Sequence, residues 1–228
     1  MKAVCLLSGG IDSPVAIQIA ILNGFQPAIL HYHNTPFESF GTLEKVLALA
    51  NALAVRNSDI PMTLAIMRHG TTQETVLSIL EEGDIRQTCL FCRMQMFRKA
   101  QAYAQRIGAD VIVTGEILGE QASQTLDNLP VVASKVDILA LRPLLGYNKE
   151  EVIRLSKKWG LYDISIRPGG CCSINPRYPE TKGRLEIVNP IYSRFETQFQ
   201  TVMDKEVNAV ETFSLPLREE DLLSHLEV

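Results

Sequence analysis

Lys2-Ala3-Val4-Cys5-Leu6-Leu7-Ser8-Gly9-Gly10-Ile11-Asp12-Ser13 is the stretch on which the reading of this chain turns. Residues 2–7 form a short apolar run of the length and kind that suits a buried strand. Residues 14–22 are apolar nearly throughout and end at Asn23-Gly24. The pattern is therefore strand, glycine turn, helix. Ser8 and the two glycines permit a tight turn with an exposed backbone. Asp12, Ser13 and Pro14 are residues that a helix start prefers. The unpaired N–H groups of the loop and of the first helical turn would converge on one spot where an anion is stabilised. The expectation is a phosphate cradle, and the alternative is an ordinary strand–turn–helix start. No GK[ST] follows at the spacing of a Walker A loop, so the cradle is of another kind.

Working outward, apolar runs at 27–33, 63–67, 110–115 and 138–141 read as four more strands. Helical periods or runs follow at 41–51, from 75 to a stop at Gly83, at 91–107, at 121–126 and at 149–159. Strands that alternate with helices, with no hairpin turns between them, imply an α/β fold. Its open, mostly parallel five-stranded sheet should carry helices on both faces. In such a sheet ligands bind at the carboxyl ends of the strands. Segments 8–13, 31–37, 68–72, 115–121 and 142–149 are the ones to watch. Beyond about residue 176 the Asn-Pro and Tyr-Pro pairs break the period. Residues 1–176 are expected to form one domain, and 177–228 a small C-terminal extension. Within the extension one helix is expected over 195–213, with Phe195, Phe199, Val202, Met203, Val207 and Val210 as a packing stripe.

Composition is that of a globular chain: 228 residues, 46 % hydrophobic and 21 % charged. No apolar run approaches the roughly 20 residues of a membrane span. No leader pattern precedes the first strand, so a cytoplasmic protein without membrane contact is expected. Five cysteines, an odd number, argue against a disulfide framework. The net charge of −4 does not suggest nucleic-acid binding. Seven of the 26 acids but only two of the 22 bases lie in 204–228, so the remainder is nearly neutral. Residues 86–106 hold five bases and no acid. That run is either a phosphate-facing patch or one solvated helix face.

The Ser-Gly-Gly-Ile-Asp-Ser string resembles the pyrophosphate-binding loop (PP-loop) of the N-type ATP pyrophosphatases, with their adenine nucleotide alpha hydrolase-like, Rossmann-like fold. Two further stretches narrow the resemblance: Gly115-Glu116-Ile117-Leu118-Gly119-Glu120-Gln121-Ala122-Ser123, continuing to Leu129, and Arg142-Pro143-Leu144-Leu145-Gly146-Tyr147-Asn148-Lys149. In order, the three resemble the catalytic domain of the 4-thiouridine synthetases, tRNA sulfurtransferases also linked to thiamine biosynthesis. The resemblance runs over about residues 3–175. It implies cleavage of ATP to AMP and pyrophosphate with adenylation of a carbonyl oxygen, and replacement of that oxygen by sulfur. Ser8, Gly9, Gly10, Asp12 and Ser13 would hold pyrophosphate, with Asp12 acting through Mg²⁺ or capping the helix. Lys149 and Arg142 would neutralise phosphate charge, and Gly115, Gln121 and Ser123 would face the nucleotide or the acceptor base. The strand around His31 would read adenine. His31 and His33 share a face by their period of two, so a paired-histidine metal site is the lesser alternative there.

The resemblance also sets expectations by its departures. The full-length synthetases carry an RNA-binding THUMP region, and many end in a rhodanese domain with a persulfide cysteine. This sequence matches neither, so tRNA as a partner and the identity of the sulfur donor stay open. A homodimer or a partner protein could use the C-terminal extension. Cys89-Leu90-Phe91-Cys92 is a C-x-x-C, ambiguous alone among metal, redox and accident. With one distant cysteine it resembles the three-cysteine [4Fe-4S] site of thiolating members of the superfamily. A Cys92–Cys172 disulfide or a persulfide carrier, zinc, and inert thiols are the alternatives. Cys172 lies 23 residues beyond Lys149, as the family's catalytic cysteine does, which favours it over Cys171. Cys5, inside the first strand, reads as a small core residue. A small-molecule acceptor, or a nucleotide-binding subunit serving a separate RNA-binding protein, are the alternatives to tRNA thiolation.

Overall fold

The computed structural model describes residues 1–38, 41–169 and 172–225. β1 (Lys2–Leu6) is flanked in parallel by β2 (Gln26–His33) on one side and β4 (Val111–Val113) on the other. β3 (Thr63–Arg68) pairs in parallel with β2, and β5 (Leu139–Leu141) with β4. A sixth strand, β6 (Glu211–Ser214), adds antiparallel to the free edge of β3 with Leu64 opposite Phe213. The order is β5-β4-β1-β2-β3-β6, so the sheet has six strands rather than the five expected. The chain moves outward from β1 to β3 and then returns to the far side of β1. The resulting crevice lies between the ends of β1 and β4.

The helices are α1 (Asp12–Leu22), α2 (Thr42–Arg56), α3 (Gly70–Ile79), α4 (Thr88–Ile107) and α5 (Asn128–Ala133). They continue as α6 (Lys149–Lys158), α7 (Tyr162–Ser165), α8 (Leu185–Arg194), α9 (Glu196–Asn208) and α10 (Glu219–His225). The single helix expected over 195–213 is thus corrected. Helix α9 stops at Asn208, and the next residues leave it to form β6. The proline of Asn189-Pro190, expected to break the chain's period, lies inside α8. The segment expected as a helix over 121–126 is a 3₁₀ turn, Ala122–Gln124.

Strand alternation sorts the core. Ala3, Cys5, Ile29, Leu64 and Ile66 face α1, α2 and α6 through Val15, Ile17, Val46, Leu49, Leu53 and Val152. Val4, Leu30, Tyr32, Ala65 and Met67 face Ala100, Tyr103 and Ala104 of α4 and Val207 of α9. Cys5 is fully buried in the first of these layers, where its thiol is pushed far up by burial. A third cluster holds Phe91, Met94, Phe97, Val76, Val131, Tyr192 and Phe199. The rings of Phe91 and Phe199 stack at 6.1 Å, and those of Tyr192 and Phe199 at 5.6 Å. This cluster fixes α9 onto α4, so the C-terminal segment is part of the packing that shapes the crevice. No described helix is long and apolar enough to cross a membrane.

Candidate active site

The loop after β1 closes on itself. The Ser8 N–H donates to Ser13 Oγ at 3.0 Å, the two hydroxyls lie 3.1 Å apart, and the Gly10 N–H reaches Ser8 Oγ at 3.4 Å. Gly9 holds φ +78°, the left-handed region a glycine adopts at no cost. The end of β4 comes hard against this turn: a Cβ on Gly115 would stand 2.6 Å from Ser13 Cα and 2.6 Å from Ser13 N. Only a glycine permits that approach. Asp12 makes no side-chain cap on α1, which corrects the capping alternative. Its carboxylate instead accepts from Lys149 Nζ at 2.7 and 2.9 Å, and Glu120 Oε2 lies 3.7 Å from the same ammonium. Lys149 is held at the first turn of α6, behind a capping box of Asn148 and Glu151.

Above the loop opens a cavity of about 380 Å³, within the range of small-molecule sites. Ser8, Gly10, Asp12 and Ser13 line one end, and His31, Tyr32, Asn34 and Glu38 another. Arg93 and Phe97 of α4 and Thr114, Gly115, Glu116, Gln121 and Gln124 complete the lining. Burial pulls the His31 imidazole below its ordinary range, partly opposed by Glu38. His31 Nδ1 donates to Leu7 O at 2.9 Å, and its buried Nε2 has no protein partner. A neutral ring thus presents an acceptor at the cavity. Among the described residues, His31, His33 and Glu38 are the one set of three metal-type ligand atoms lying within 4.8 Å of one another.

Glu116, only 2 % exposed, gathers the cationic side of the cavity. It pairs with Arg93 through one oxygen. Its other oxygen accepts from Arg142 Nε at 2.5 Å and from Thr114 Oγ1 at 3.0 Å. Arg142 therefore stands behind Glu116, its guanidinium 5.8 Å over the Phe97 ring, and does not itself line the cavity. Ser123 is buried and also outside the lining. Gly9 faces Lys45 and Val46. The five bases of 86–106 form neither a single phosphate patch nor one solvated face. Arg93 is at the cavity, and Lys99 is fully buried against Glu206. Arg98 bonds Gln95 and Gln200, and Arg106 reaches Val207 O. Sequence reasoning missed Glu116 and Arg93. Their signals were slight: an acid directly after the glycine that ends β4, and a base one residue beyond the C-x-x-C.

The cysteines gather at the start of α4. Cys89 and Cys92 stand one turn apart, so they share a face. Cys92 Sγ lies 3.1 Å from His69 Nε2, and Cys172 Sγ accepts from Gln73 Nε2 at 3.2 Å. The Cys89 thiol reaches Asn175 Oδ1 at 3.4 Å. Burial, reinforced by the nearby Cys172, pushes Cys89 up and Cys92 up to about 12. Cys171 lies outside the described residues. The next turn of α4 delivers Arg93 to the nucleotide-sized cavity, so one helix borders both places. Tyr32 lines the cavity and tilts against His69 at 5.3 Å, on the cysteine side.

The family model of the thiamine biosynthesis protein (ThiI) matches residues 1–197. The chain belongs to the ThiI family. A probable tRNA sulfurtransferase of Caldanaerobacter subterraneus subsp. tengcongensis is 39 % identical over 189 residues, 82 % of this chain and 48 % of that protein. A 4-thiouridine synthetase, solved in complex with RNA and with bound ATP, superposes with a TM-score of 0.87 at 31 % identity. That match covers 93 % of this chain and 55 % of that one. The U34-tRNA thiolase NcsA from Methanococcus maripaludis, solved with its [4Fe-4S] cluster, shares the fold at 16 % identity and a TM-score of 0.50. It matches 100 % of this chain and 74 % of its own. The chain spans about half the length of the curated ThiI-family relatives it matches.

Proposed function

We propose that this chain is an ATP-dependent sulfurtransferase acting on a carbonyl group of a tRNA base, C4 of uridine being the expected atom. The observation that carries the reading is the shared border on α4. A phosphate-type loop with its cavity lies on one side, and three gathered cysteines lie on the other.

In the first step the carbonyl oxygen attacks the α-phosphorus of ATP and pyrophosphate leaves. The N–H groups and hydroxyls of Ser8, Gly10 and Ser13 would receive the departing anion. The Asp12–Lys149 pair stands beside them. Lys149 would neutralise phosphate charge, and Asp12 would hold Mg²⁺, which favours carboxylate and phosphate oxygens. Arg93, steadied by Glu116, would face the adenylated intermediate. Glu116 in turn keeps Arg142 in place. His31 Nε2 would accept from a nucleotide N–H. In the second step sulfide attacks the activated carbon. Where the sulfur arrives as a cysteine persulfide, a second cysteine thiolate first displaces it as sulfide, leaving a disulfide that an external thiol must reduce. AMP departs with the former carbonyl oxygen, and loss of the sulfur-borne proton leaves a thiocarbonyl. The protein contributes position and preorganised charge.

The donor set fits an iron–sulfur group. Three soft cysteine sulfurs come from one helix face and a loop laid over it, with a histidine and a glutamine nitrogen against two of them. A structural zinc is closed by four protein ligands, whereas Cys89, Cys92 and Cys172 supply three. A [4Fe-4S] cluster would supply an iron with an open coordination position. Residues 1–176 would perform the chemistry, with 177–228 as its support.

The test is pyrophosphate release from ATP and Mg²⁺ together with 4-thiouridine in unmodified tRNA. Activity in the wild type and its loss in Asp12→Ala are expected. Pyrophosphate release that survives Asp12→Ala would overturn the loop assignment.

A further inference from the structure

A buried group of charged side chains lies apart from the ATP chemistry and ends on the cysteine sulfurs. His69 precedes α3, and Gln73 follows one turn later, with Gln73 N–H bonded to His69 O. Both are almost completely buried and both meet sulfur: His69 Nε2 at Cys92, Gln73 Nε2 at Cys172. Behind His69 lies Lys99, 0 % exposed. Lys99 Nζ contacts His69 Nδ1, Glu206 Oε2 at 2.8 Å, and Thr72 Oγ1 and Arg68 O at 3.3 Å each. Glu206, from α9, also accepts from Thr72 Oγ1 at 2.5 Å and from the Thr72 N–H at 3.3 Å.

The geometry points to a hydrogen-bond platform, in which His69 and Gln73 donate to sulfur at Cys92 and Cys172 while Lys99 and Glu206 fix the tautomer of His69. An ammonium has donors only. With carbonyl and carboxylate acceptors on its other sides, Lys99 places a proton toward Nδ1, and Nδ1 must accept it. The ring proton of a neutral His69 is then on Nε2, aimed at Cys92. The ammonium set against Nδ1 leaves no room for a second ring proton there, so the ring is neutral. Gln73 makes the same donation one turn along, and its Oε1 is left buried with no protein partner. A merely structural role is a poor account of Lys99. Burial lowers its pKa to about 8, and an apolar side chain of that volume would fill the space without the desolvation cost.

Donors on sulfur stabilise its electron-rich state. They raise the reduction potential of a cluster and lower the pKa of a thiol. The inference deepens the reading above and rests on the assignment of Cys89, Cys92 and Cys172 to sulfur handling, so its test has two arms. In the first, the full chain is reconstituted without oxygen, iron and acid-labile sulfide are measured, and the midpoint potential is titrated. His69→Leu and Gln73→Leu are each expected to shift the reduction equilibrium about tenfold toward the oxidised form, ~59 mV for one electron. In the second, the iron-free chain is alkylated with iodoacetamide across pH and each cysteine is read by mass spectrometry. Gln73→Leu should move the Cys172 profile upward by about one pH unit, and His69→Leu, read at one fixed pH well below the high pKa of Cys92, should slow alkylation of Cys92 about tenfold. His69→Gln, whose amide also carries an N–H, should restore part of both effects. Lys99→Met should move the Cys92 readouts and leave those of Cys172 in place. Folded variants with unchanged potentials and unchanged profiles overturn the platform. A wild-type chain that takes up no iron while its variants shift the profiles overturns the cluster and keeps the platform.

Discussion

Gly115 shows how much of this site depends on the absence of an atom. Its missing Cβ lets the end of β4 touch the backbone of Ser13. Gly115→Ala must push the two apart, and overpacking of this kind costs about 1–3 kcal/mol. Urea denaturation should show that loss, together with a raised KM for ATP as the loop shifts. Glu116 is the opposite case, an atom pair on which others depend. Glu116→Gln removes the charge that Arg93 and Arg142 share and should cost about 2 kcal/mol of stability, less than a fully buried pair because both arginines keep some solvent contact. ATP-dependent pyrophosphate release by this variant should fall while its secondary structure, by circular dichroism, stays intact. The contiguous residues of this site were legible: residues 8–13 are neighbours in the chain and their turn chemistry is local. Glu116, Arg93 and the His69–Lys99–Glu206 group were not. Each takes its meaning from a partner at least 23 residues away, and no local period records such a pairing.

At the scale of elements, the parallel strands β1 to β4 declared themselves because their central residues are buried on both faces and mostly apolar, and β5, with Leu139 exposed at the sheet edge, because its short run is apolar. β6 did not. Glu-Thr-Phe-Ser is four residues long and only half covered, and what makes it a strand is the free edge of β3. The helix expected to run through it ends because Asn208 and Ala209 release the chain toward that edge. α9 is held by Phe199, stacked on Phe91 and Tyr192. Phe199→Ala should cost about 3–5 kcal/mol. Because α9 also carries Glu206, the same variant should perturb Lys99. Deleting residues 211–228 should leave β3 as an exposed edge strand. Concentration-dependent association, seen by light scattering, is the expected result.

For the whole molecule, the buried ionisable groups set how stability follows pH. His31 and His69 are held below the ordinary histidine value of 6.5 in the folded chain. The unfolded chain therefore binds more protons as pH falls through 6.5, and stability should decline on that side. Lys99 acts at the other end. Its folded pKa of about 8 lies below the ordinary 10.5, so the unfolded chain again holds the extra proton between those values. This group alone would add on the order of 3 kcal/mol across that window, but the Cys5, Cys89 and Cys92 thiols, raised by burial above the ordinary 9.0, lose stability as pH climbs past 9. Urea midpoints should therefore decline below pH 6.5, rise above about pH 8 and turn down beyond pH 9, and Lys99→Met should remove the rise.

The bond between Lys99 and Glu206 spans 107 residues, and β3 waits for a partner almost 150 residues further along. On a ribosome, the strands from β1 to β5 and the loop after β1 can come together while α9 and β6 are still unmade. Through that interval Lys99 has no counter-charge and β3 has a bare edge. The β1–β5 sheet can thus form before the segment that supplies Glu206 and β6, and the pairing of Lys99 waits for that segment. A nascent chain stalled before residue 206 should leave the Lys99 pair unmade and be recognisable to chaperones by its open β3 edge.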